Sequence, residues 1–205
     1  KTKADYVLVA IGRKPRLDGL QLEQAGVDFS PKGIPVNGHM QTNVPHIYAC
    51  GDAIGGIQLA HAAFHEGIIA ASHASGRDVK INEKHVPRCI YTSPEIACIG
   101  MTERQARSIY GDVKIGEFSF SANGKALIKQ QAEGKVKIMA EPEFGEIVGV
   151  SMIGPDVTEL IGQAAAIMNG EMTADMAEHF IAAHPTLSET LHEALLSTIG
   201  LAVHA

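Results

Sequence analysis

The amino-acid sequence predicts an α+β fold, in which a short α/β region precedes a larger domain built on an antiparallel sheet. Two observations carry this prediction: strand-like segments cluster between residues 88 and 153, and helix-like segments cluster after residue 155. Such a separation is typical of α+β domains, whose sheets are antiparallel. A third observation is that the first region combines an apolar strand pattern with one long helix pattern.

The first region begins with the run DYVLVAIG, from Asp5 to Gly12, which is apolar throughout and closed by glycine. Such a run predicts a buried strand of a parallel sheet. Short strands are expected at 35–37 and 47–49. From Gln58 to Ser75 the chain is rich in Ala, His and Ile and lacks proline, which predicts a helix.

A charged segment poor in large apolar residues, 76–87, separates the two regions. We place the domain boundary there and expect three segments, 1–14, 15–84 and 85–205. The strands predicted beyond the boundary lie at 88–91, 96–99, 113–120, 126–130, 134–140 and 147–153.

Four helices are predicted in the same domain. Thr102 and Gln105 form the Thr-x-x-Gln pattern of a capping box, which marks a helix start. A second helix is expected between Pro155 and Gly170, because proline favours the first helical position and glycine the end. The remaining two are predicted at 173–180 and 186–198.

Composition excludes several classes of protein. The formal net charge of −6 argues against sequence-independent binding to nucleic acid or membrane surfaces, so we expect neither partner. The cysteines Cys50, Cys89 and Cys98 are odd in number and lack CxxC spacing, which predicts neither a disulfide framework nor a zinc site. We expect a cytoplasmic, reducing setting, with Cys89 and Cys98 buried as small apolar side chains.

His61 and His65 are one helical turn apart, a spacing that can bind a metal ion. The zinc-protease pattern HExxH requires glutamate after the first histidine, whereas Glu66 follows the second. Because no third ligand is evident, we predict no metal site.

The segment NVPHIYACGDA ends a predicted strand with Gly51 and Asp52. Ligands of α/β proteins bind at the carboxyl ends of strands, and Asp52 could accept hydrogen bonds from hydroxyl groups there. Taken alone, a Gly-Asp pair after a strand is more often a simple turn than a ligand site.

The segment HPTLSE allows two interpretations. Thr186-x-x-Glu189 has the form of a capping box, which would leave His184 as an exposed loop residue. Alternatively, Glu189 in the first helical turn reaches back to one imidazole nitrogen of His184, and the other nitrogen is free to take a proton.

Several segments resemble motifs of the flavoprotein disulfide reductases with two dinucleotide-binding domains, the class I pyridine nucleotide-disulfide oxidoreductases. The matching segments run the length of the chain and are AIGRKP, TNVPHIYACGD, LAHAAFHEG, YTSPEIACIGMTE, MIGPDVTELIGQAAAIM and HPTLSE.

The resemblance implies a role for particular residues. His184 and Glu189 would be the acid/base pair of thiol–disulfide exchange, acting across a homodimer. Asp52, with Gly51 before it, would bind the ribitol of FAD, and Gly12 would contact the nicotinamide cofactor. The remaining implied contacts, to the flavin ring, come from Gln58, Leu59, Ala60 and His61.

The segments LAHAAFHEG and IGPDVTELI, with Leu187 and Ser188, are most similar to dihydrolipoyl dehydrogenases. The chain resembles only their C-terminal part: the tail of the NAD domain, the central FAD segment and the interface domain. Neither a GxGxxG fingerprint nor the redox cysteine pair is present, so we expect a longer parent chain and an inactive fragment. Ala182 and Cys98 depart from residues common in the family.

The complete enzyme would use FAD and NAD, and would serve lipoyl domains of 2-oxoacid dehydrogenase complexes or of the glycine cleavage system. The alternatives are a non-enzymatic dimerisation module and another disulfide reductase of the same family.

Overall fold

The structure, a computed structural model, describes residues 2–80, 82 and 85–204. The chain forms two compact units, Lys1–Glu83 and Lys84–Ala205. None of the helices in the described residues is long and apolar enough to cross a membrane.

The first unit contains one α-helix, α1 (Ala60–Ala74), and a short 3-10 helix, Gly51–Ile54, among its described residues. The predicted helix at 58–75 is therefore confirmed. The strands predicted at 35–37 and 47–49 were wrong, because residues 35–37 pair with no strand and 47–49 has only the isolated β-bridge between Gln41 and Tyr48.

The strand predicted from Asp5 to Gly12 was also wrong. This run pairs with no strand in the described part of the chain, and Leu8 and Ile11 are 91% and 96% exposed. A buried strand needs neighbours on both edges and cover on both faces. The apolar pattern alone could not supply them.

The second unit confirms the predicted α+β class. Its five-stranded sheet is antiparallel throughout and has the order β1-β2-β5-β4-β3. The strands are β1 (Arg88–Ile90), β2 (Glu95–Gly100), β3 (Lys114–Ser119), β4 (Lys135–Ala140) and β5 (Ile147–Gly154).

Within the described part of this unit, four α-helices accompany the sheet: α2 (Glu103–Tyr110), α3 (Gly124–Ile128), α4 (Val157–Asn169) and α5 (Ser188–Ser197). The capping box at the start of α2 is present, with Gln105 N–H donating to Thr102 Oγ1 and Gln105 Oε1 accepting from Thr102 N–H. The helix predicted at 173–180 is a 3-10 helix, Ala174–His179.

The strand predicted at 126–130 was wrong, because these residues lie in and just after helix α3. Asn123 caps this helix: its Oδ1 accepts from Ala126 N–H at 2.9 Å. A short apolar run fits a strand or a helix equally well by pattern, and here the cap decides in favour of the helix.

The main core lies between the sheet and helices α4 and α5. Val136, Ile138 and Val150 of the sheet pack with Ile161 and Leu191 of the helices. Helix α5 comes close to β3 at Gly116, where a Cβ would lie 2.1 Å from the Ala194 carbonyl oxygen. This approach fixes the position of α5, whose first turn carries Glu189.

Candidate active site

His184 and Glu189 are in direct contact. The His184 Nδ1 atom lies 2.8 Å from Glu189 Oε1, and the side chain of His184 is 76% exposed while that of Glu189 is 22% exposed. The buried partner is thus the carboxylate, and the imidazole faces outward. Because an ionised carboxylate can only accept, Nδ1 carries the hydrogen of this bond and Nε2 is left as the basic nitrogen.

The segment HPTLSE was interpreted either as a capping box or as a histidine–glutamate pair, and the second oxygen of Glu189 makes one contact of the capping box as well. Glu189 Oε2 accepts from Thr186 N–H at 2.7 Å, which is one half of a capping box. The other half is missing, because the Thr186 hydroxyl donates instead to the Ala183 carbonyl oxygen at 2.6 Å. One carboxylate therefore holds both the backbone N–H of Thr186, just before α5, and the imidazole of His184.

The pKa of Glu189 reflects these contacts. Burial alone would raise it, but the hydrogen bonds from Thr186 N–H and from His184 outweigh burial and lower the pKa of the carboxyl below its ordinary value. Glu189 is consequently ionised at neutral pH. An ionised neighbour stabilises the imidazolium that forms when His184 accepts a proton.

Asn123 holds the loop before α5 in place. It is buried, and its Nδ2 donates to the Thr186 carbonyl oxygen at 2.9 Å while its Oδ1 caps α3. The His184 ring itself lies over the start of α3, since its Cε1 is 4.0 Å from the Cβ position of Gly124. Contacts therefore hold this loop on both sides of Pro185: His184 packs on Gly124 before it, and Thr186 is bonded to Asn123 after it.

The first unit contains the predicted cofactor residues. Gly51 is in the left-handed region, with φ at 70°, and its N–H donates to Glu66 Oε2 at 2.6 Å. Glu66 is buried in α1, so this bond ties the Gly51 turn to the helix. Asp52, next in the chain, is exposed.

The start of α1 has no side-chain cap, since its N-cap Leu59 makes no such bond. The residues predicted to contact a flavin lie here: Gln58 and Leu59 are half-buried, and Ala60 and His61 are exposed. An uncapped helix N-terminus leaves amide hydrogens available to a bound group. Gly12 lies in the exposed segment near the start of the chain, and a Cβ there would meet open space.

The remaining candidates are the histidine, cysteine and carboxylate side chains that could bind a metal ion or form a disulfide. Among the described residues, no cluster of three or more histidine, cysteine or carboxylate side chains has the arrangement of a metal site. All three cysteines are free; Cys89 and Cys98 are only partly buried, where full burial was expected. Burial raises the pKa of the Cys89 thiol.

Sequence reasoning missed Asn123, Glu66, Glu193 and His204. The signal for Glu193 was present, because it follows Glu189 by one helical turn on α5. The signal for Asn123 was its place before Gly124, where it caps a helix. Glu66 contacts Gly51 and His204 contacts Glu193, and only the folded chain brings these residues together.

Comparison with known proteins places both units in one family. Residues 86–195 match the pyridine nucleotide-disulphide oxidoreductase dimerisation domain. Residues 1–67 match a second pyridine nucleotide-disulphide oxidoreductase family domain.

Individual relatives agree with this placement. The chain is 45% identical to a dihydrolipoyl dehydrogenase of Bacillus subtilis and 42% identical to one of Thermus scotoductus; each alignment covers 98% of this chain and 43% of the relative. The crystal structure of LpdA from Mycobacterium tuberculosis superposes with a TM-score of 0.83 at 28% identity, over 88% of this chain and 40% of that one. The chain thus spans less than half the length of these relatives, and it belongs to the pyridine nucleotide-disulphide oxidoreductases.

Proposed function

We propose that this chain is the C-terminal part of a dihydrolipoyl dehydrogenase. In the complete protein it would help to oxidise dihydrolipoamide to lipoamide, with electrons passing through a redox disulfide and FAD to NAD⁺. The observation that carries the proposal is the His184–Glu189 contact of 2.8 Å on an outward-facing imidazole. The names of the relatives support the substrate.

The chemistry of the pair is proton control. A thiol attacks a disulfide only as its thiolate. His184 Nε2 takes the proton from one substrate thiol: the S–H bond breaks, an N–H bond forms, and the sulfur keeps the electron pair. Glu189 stabilises the resulting imidazolium and keeps the ring from turning, since its Oε1 holds Nδ1 and its Oε2 is fixed by Thr186 N–H.

The first unit has features that fit FAD. Asp52 offers an exposed carboxylate to the hydroxyl groups of the ribitol, and Gly51 holds the turn against Glu66. The uncapped start of α1, with Gln58, Leu59, Ala60 and His61, would present amide hydrogens to the ring. Bound FAD and NAD would supply the redox chemistry, and Gly12 would approach the nicotinamide cofactor.

The second unit has an apolar surface that suits a second copy of the chain. A recess of about 330 Å³ between α4, α5 and the segment that joins them is lined by Ile167, Phe180 and Leu195, among others. Ile181, three residues before His184, is 90% exposed. We therefore propose a homodimer in which His184 serves the disulfide of the partner subunit, and lipoyl domains as the substrate carriers.

These assignments give names to the three segments: 1–14 as the tail of the NAD-binding domain, 15–84 as the central FAD segment, and 85–205 as the interface domain. By this proposal the 205-residue chain alone carries the base without its disulfide. We expect no dihydrolipoamide oxidation from this chain alone.

The test uses the complete protein loaded with FAD. We expect NAD⁺-dependent oxidation of dihydrolipoamide, and His184→Gln is expected to lower kcat by roughly 10²–10⁴-fold while flavin content and dimer mass stay unchanged. His46→Gln, an exposed histidine of the first unit, is the matched control. A flavin-loaded protein that reduces glutathione disulfide and leaves dihydrolipoamide untouched would reassign the substrate, and an unaffected His184→Gln would remove the base.

A further inference from the structure

A second imidazole–carboxylate pair lies beside the first. His204 Nδ1 is 2.8 Å from Glu193 Oε1, and Glu193 Oε2 accepts from the N–H groups of Val203 at 2.9 Å and of His204 at 3.3 Å. The side chain of Glu193 is 8% exposed and that of His204 is 67% exposed. The arrangement repeats that of Glu189: one oxygen holds a histidine Nδ1 and the other accepts backbone N–H groups.

A reversal of the chain after α5 produces this pair. Gly200 has φ at 76°, its N–H bonds to the Ser197 carbonyl oxygen, and Leu201 N–H bonds to the Leu196 carbonyl oxygen. These two bonds are the Schellman pattern, in which glycine in the left-handed conformation ends a helix. The chain therefore turns back along α5 and brings His204 to Glu193, one helical turn beyond Glu189.

Both pairs line one small recess of about 60 Å³. Its charged or titratable lining residues are His184, Glu189, Glu193 and His204. The rest of the lining, from β3 and the approach to α3, consists of uncharged residues, Phe118, Ala122, Asn123 and Gly124. Burial has the largest effect on the pKa of Glu189 and raises it, while the hydrogen bonds from Thr186 and His184 lower it. The charge of His204 makes a smaller contribution that also lowers this pKa.

We infer that Glu193 and His204 form a positioning pair whose two opposite charges each act on the His184–Glu189 pair through the recess that both pairs line. This inference rests on the proposed role of His184 as the base. The two carboxylates are one turn apart on α5 and favour a positive charge in the recess together. A protonated His204 offsets part of that field, so its charge state and that of His184 are coupled.

The charge arrangement predicts opposite effects for two neutralising substitutions. His204→Gln removes the positive charge that a protonated His204 carries and leaves both carboxylates, so the variant should favour the protonated form of His184. Glu193→Gln removes a negative charge, so His184 should lose its proton at lower pH. In the double variant the two changes largely cancel, because the pair is removed as a neutral unit.

The experiment follows the Cε1–H resonance of His184 by NMR during a pH titration of the 205-residue chain, which requires neither cofactor nor activity. We expect midpoint shifts on the order of a few tenths of a pH unit, upward for His204→Gln and downward for Glu193→Gln. His46→Gln, in the first unit, should leave the midpoint unchanged. The His184 resonance itself is identified by its loss in His184→Gln.

Loss of structure alone would move the single variants in the same direction and would not be reversed in the double variant. Identical midpoints in all variants, or shifts of the same sign, would overturn the inference. Neither outcome bears on whether the complete protein oxidises dihydrolipoamide, which the kinetic test with His184→Gln decides separately. If that kinetic test fails while the opposite shifts are observed, the coupled pairs stand and only the base assignment is lost.

Discussion

Asn123 joins the start of α3 to the loop that carries His184. Its Nδ2 donates to the Thr186 carbonyl oxygen and its Oδ1 accepts from Ala126 N–H, both at 2.9 Å. The side chain is 3% exposed, so neither bond is readily replaced by water. The position of the imidazole therefore depends on a residue 61 positions earlier in the chain.

The first prediction separates these two bonds. Asn123→Ala removes both and should lower the free energy of unfolding of the second unit by about 1–3 kcal/mol, as for a lost cap and an unsatisfied buried carbonyl. Asn123→Asp keeps the cap on α3 but has no hydrogen to donate to Thr186. Asn123→Asp should therefore retain helix α3 but leave the loop that carries His184 less ordered.

Urea unfolding measures the stability, and the NMR line width of the His184 Cε1–H resonance measures the order of the loop. We expect Asn123→Asp to broaden or shift that resonance as Asn123→Ala does. If Asn123→Asp leaves the His184 resonance as in the unsubstituted chain, the bond to Thr186 has no part in positioning the base.

The contact between Asn123 and Thr186 is one that the sequence alone could not predict. Local patterns were sufficient for the capping box of Thr102 and Gln105 and for the reach of Glu189 to His184 across five residues, and both contacts are present in the structure. The role of His184 as a base stays a prediction. Asn123 and His204 find their partners through the fold, which no spacing in the sequence expresses.

Two of the strand errors have different physical causes. The apolar run from Asp5 to Gly12 has the composition of a buried strand, but burial depends on neighbours that the described residues do not provide. Residues 126–130 failed because five residues are too few for the period of a helix to show. The cap at Asn123, three residues before the first apolar residue of that run, was the informative signal.

The second prediction concerns acid. The pKa of Glu189 is lowered in the folded chain from 4.5, despite burial, by hydrogen bonds from Thr186 and His184. The folded state therefore binds fewer protons than the unfolded state in this range. The stability that the ionised carboxylate contributes is present above pH 4.5 and is lost as the pH falls through the folded-state pKa.

Glu189→Gln should therefore be less stable than the unsubstituted chain at neutral pH, and the difference should shrink on acidification. Urea unfolding at intervals from about pH 6 to about pH 3 measures this. Glu143→Gln, with the same change of charge at an exposed position, should show no such trend. A stability difference that is constant across the pH range would show that ionised Glu189 makes no specific contribution.

The third prediction concerns the turn between β4 and β5. Glu141 is buried, and its two oxygens accept from the N–H groups of Glu143, Phe144 and Glu146 at 2.8, 2.5 and 3.1 Å. Burial raises the pKa of this carboxyl, but the backbone hydrogen bonds outweigh burial and lower it overall. The ionised side chain thus organises the turn.

Glu141→Gln keeps the size of the side chain but replaces one accepting oxygen with a donor, which would face backbone N–H groups. We expect a loss of about 1–3 kcal/mol in the free energy of unfolding. Glu143→Gln, two residues away and exposed, controls for the change in charge. Equal stabilities of the two variants would mean that solvent replaces the Glu141 contacts.

The fourth prediction tests whether the spacing between α5 and β3 positions the site. A Cβ at Gly116 would lie 2.1 Å from the Ala194 carbonyl oxygen and 2.6 Å from Thr198 Cγ2, far inside contact distance. Gly116→Ala must therefore displace α5 and should cost about 1–3 kcal/mol or more, as overpacking does. Gly162→Ala, in the middle of α4 where a Cβ meets open space, should be neutral or stabilising by up to about 1 kcal/mol.

Because α5 carries Glu189 and Glu193, its displacement should also change the surroundings of their partners, His184 and His204. We expect the Cε1–H resonances of His184 and His204 to shift in Gly116→Ala and to stay in place in Gly162→Ala. Stability is measured by urea unfolding and the histidines by NMR on the same samples. If Gly116→Ala loses stability while both resonances are unchanged, the sheet accommodates the methyl group without moving α5, and the recess is held from the side of α3 and Asn123 instead.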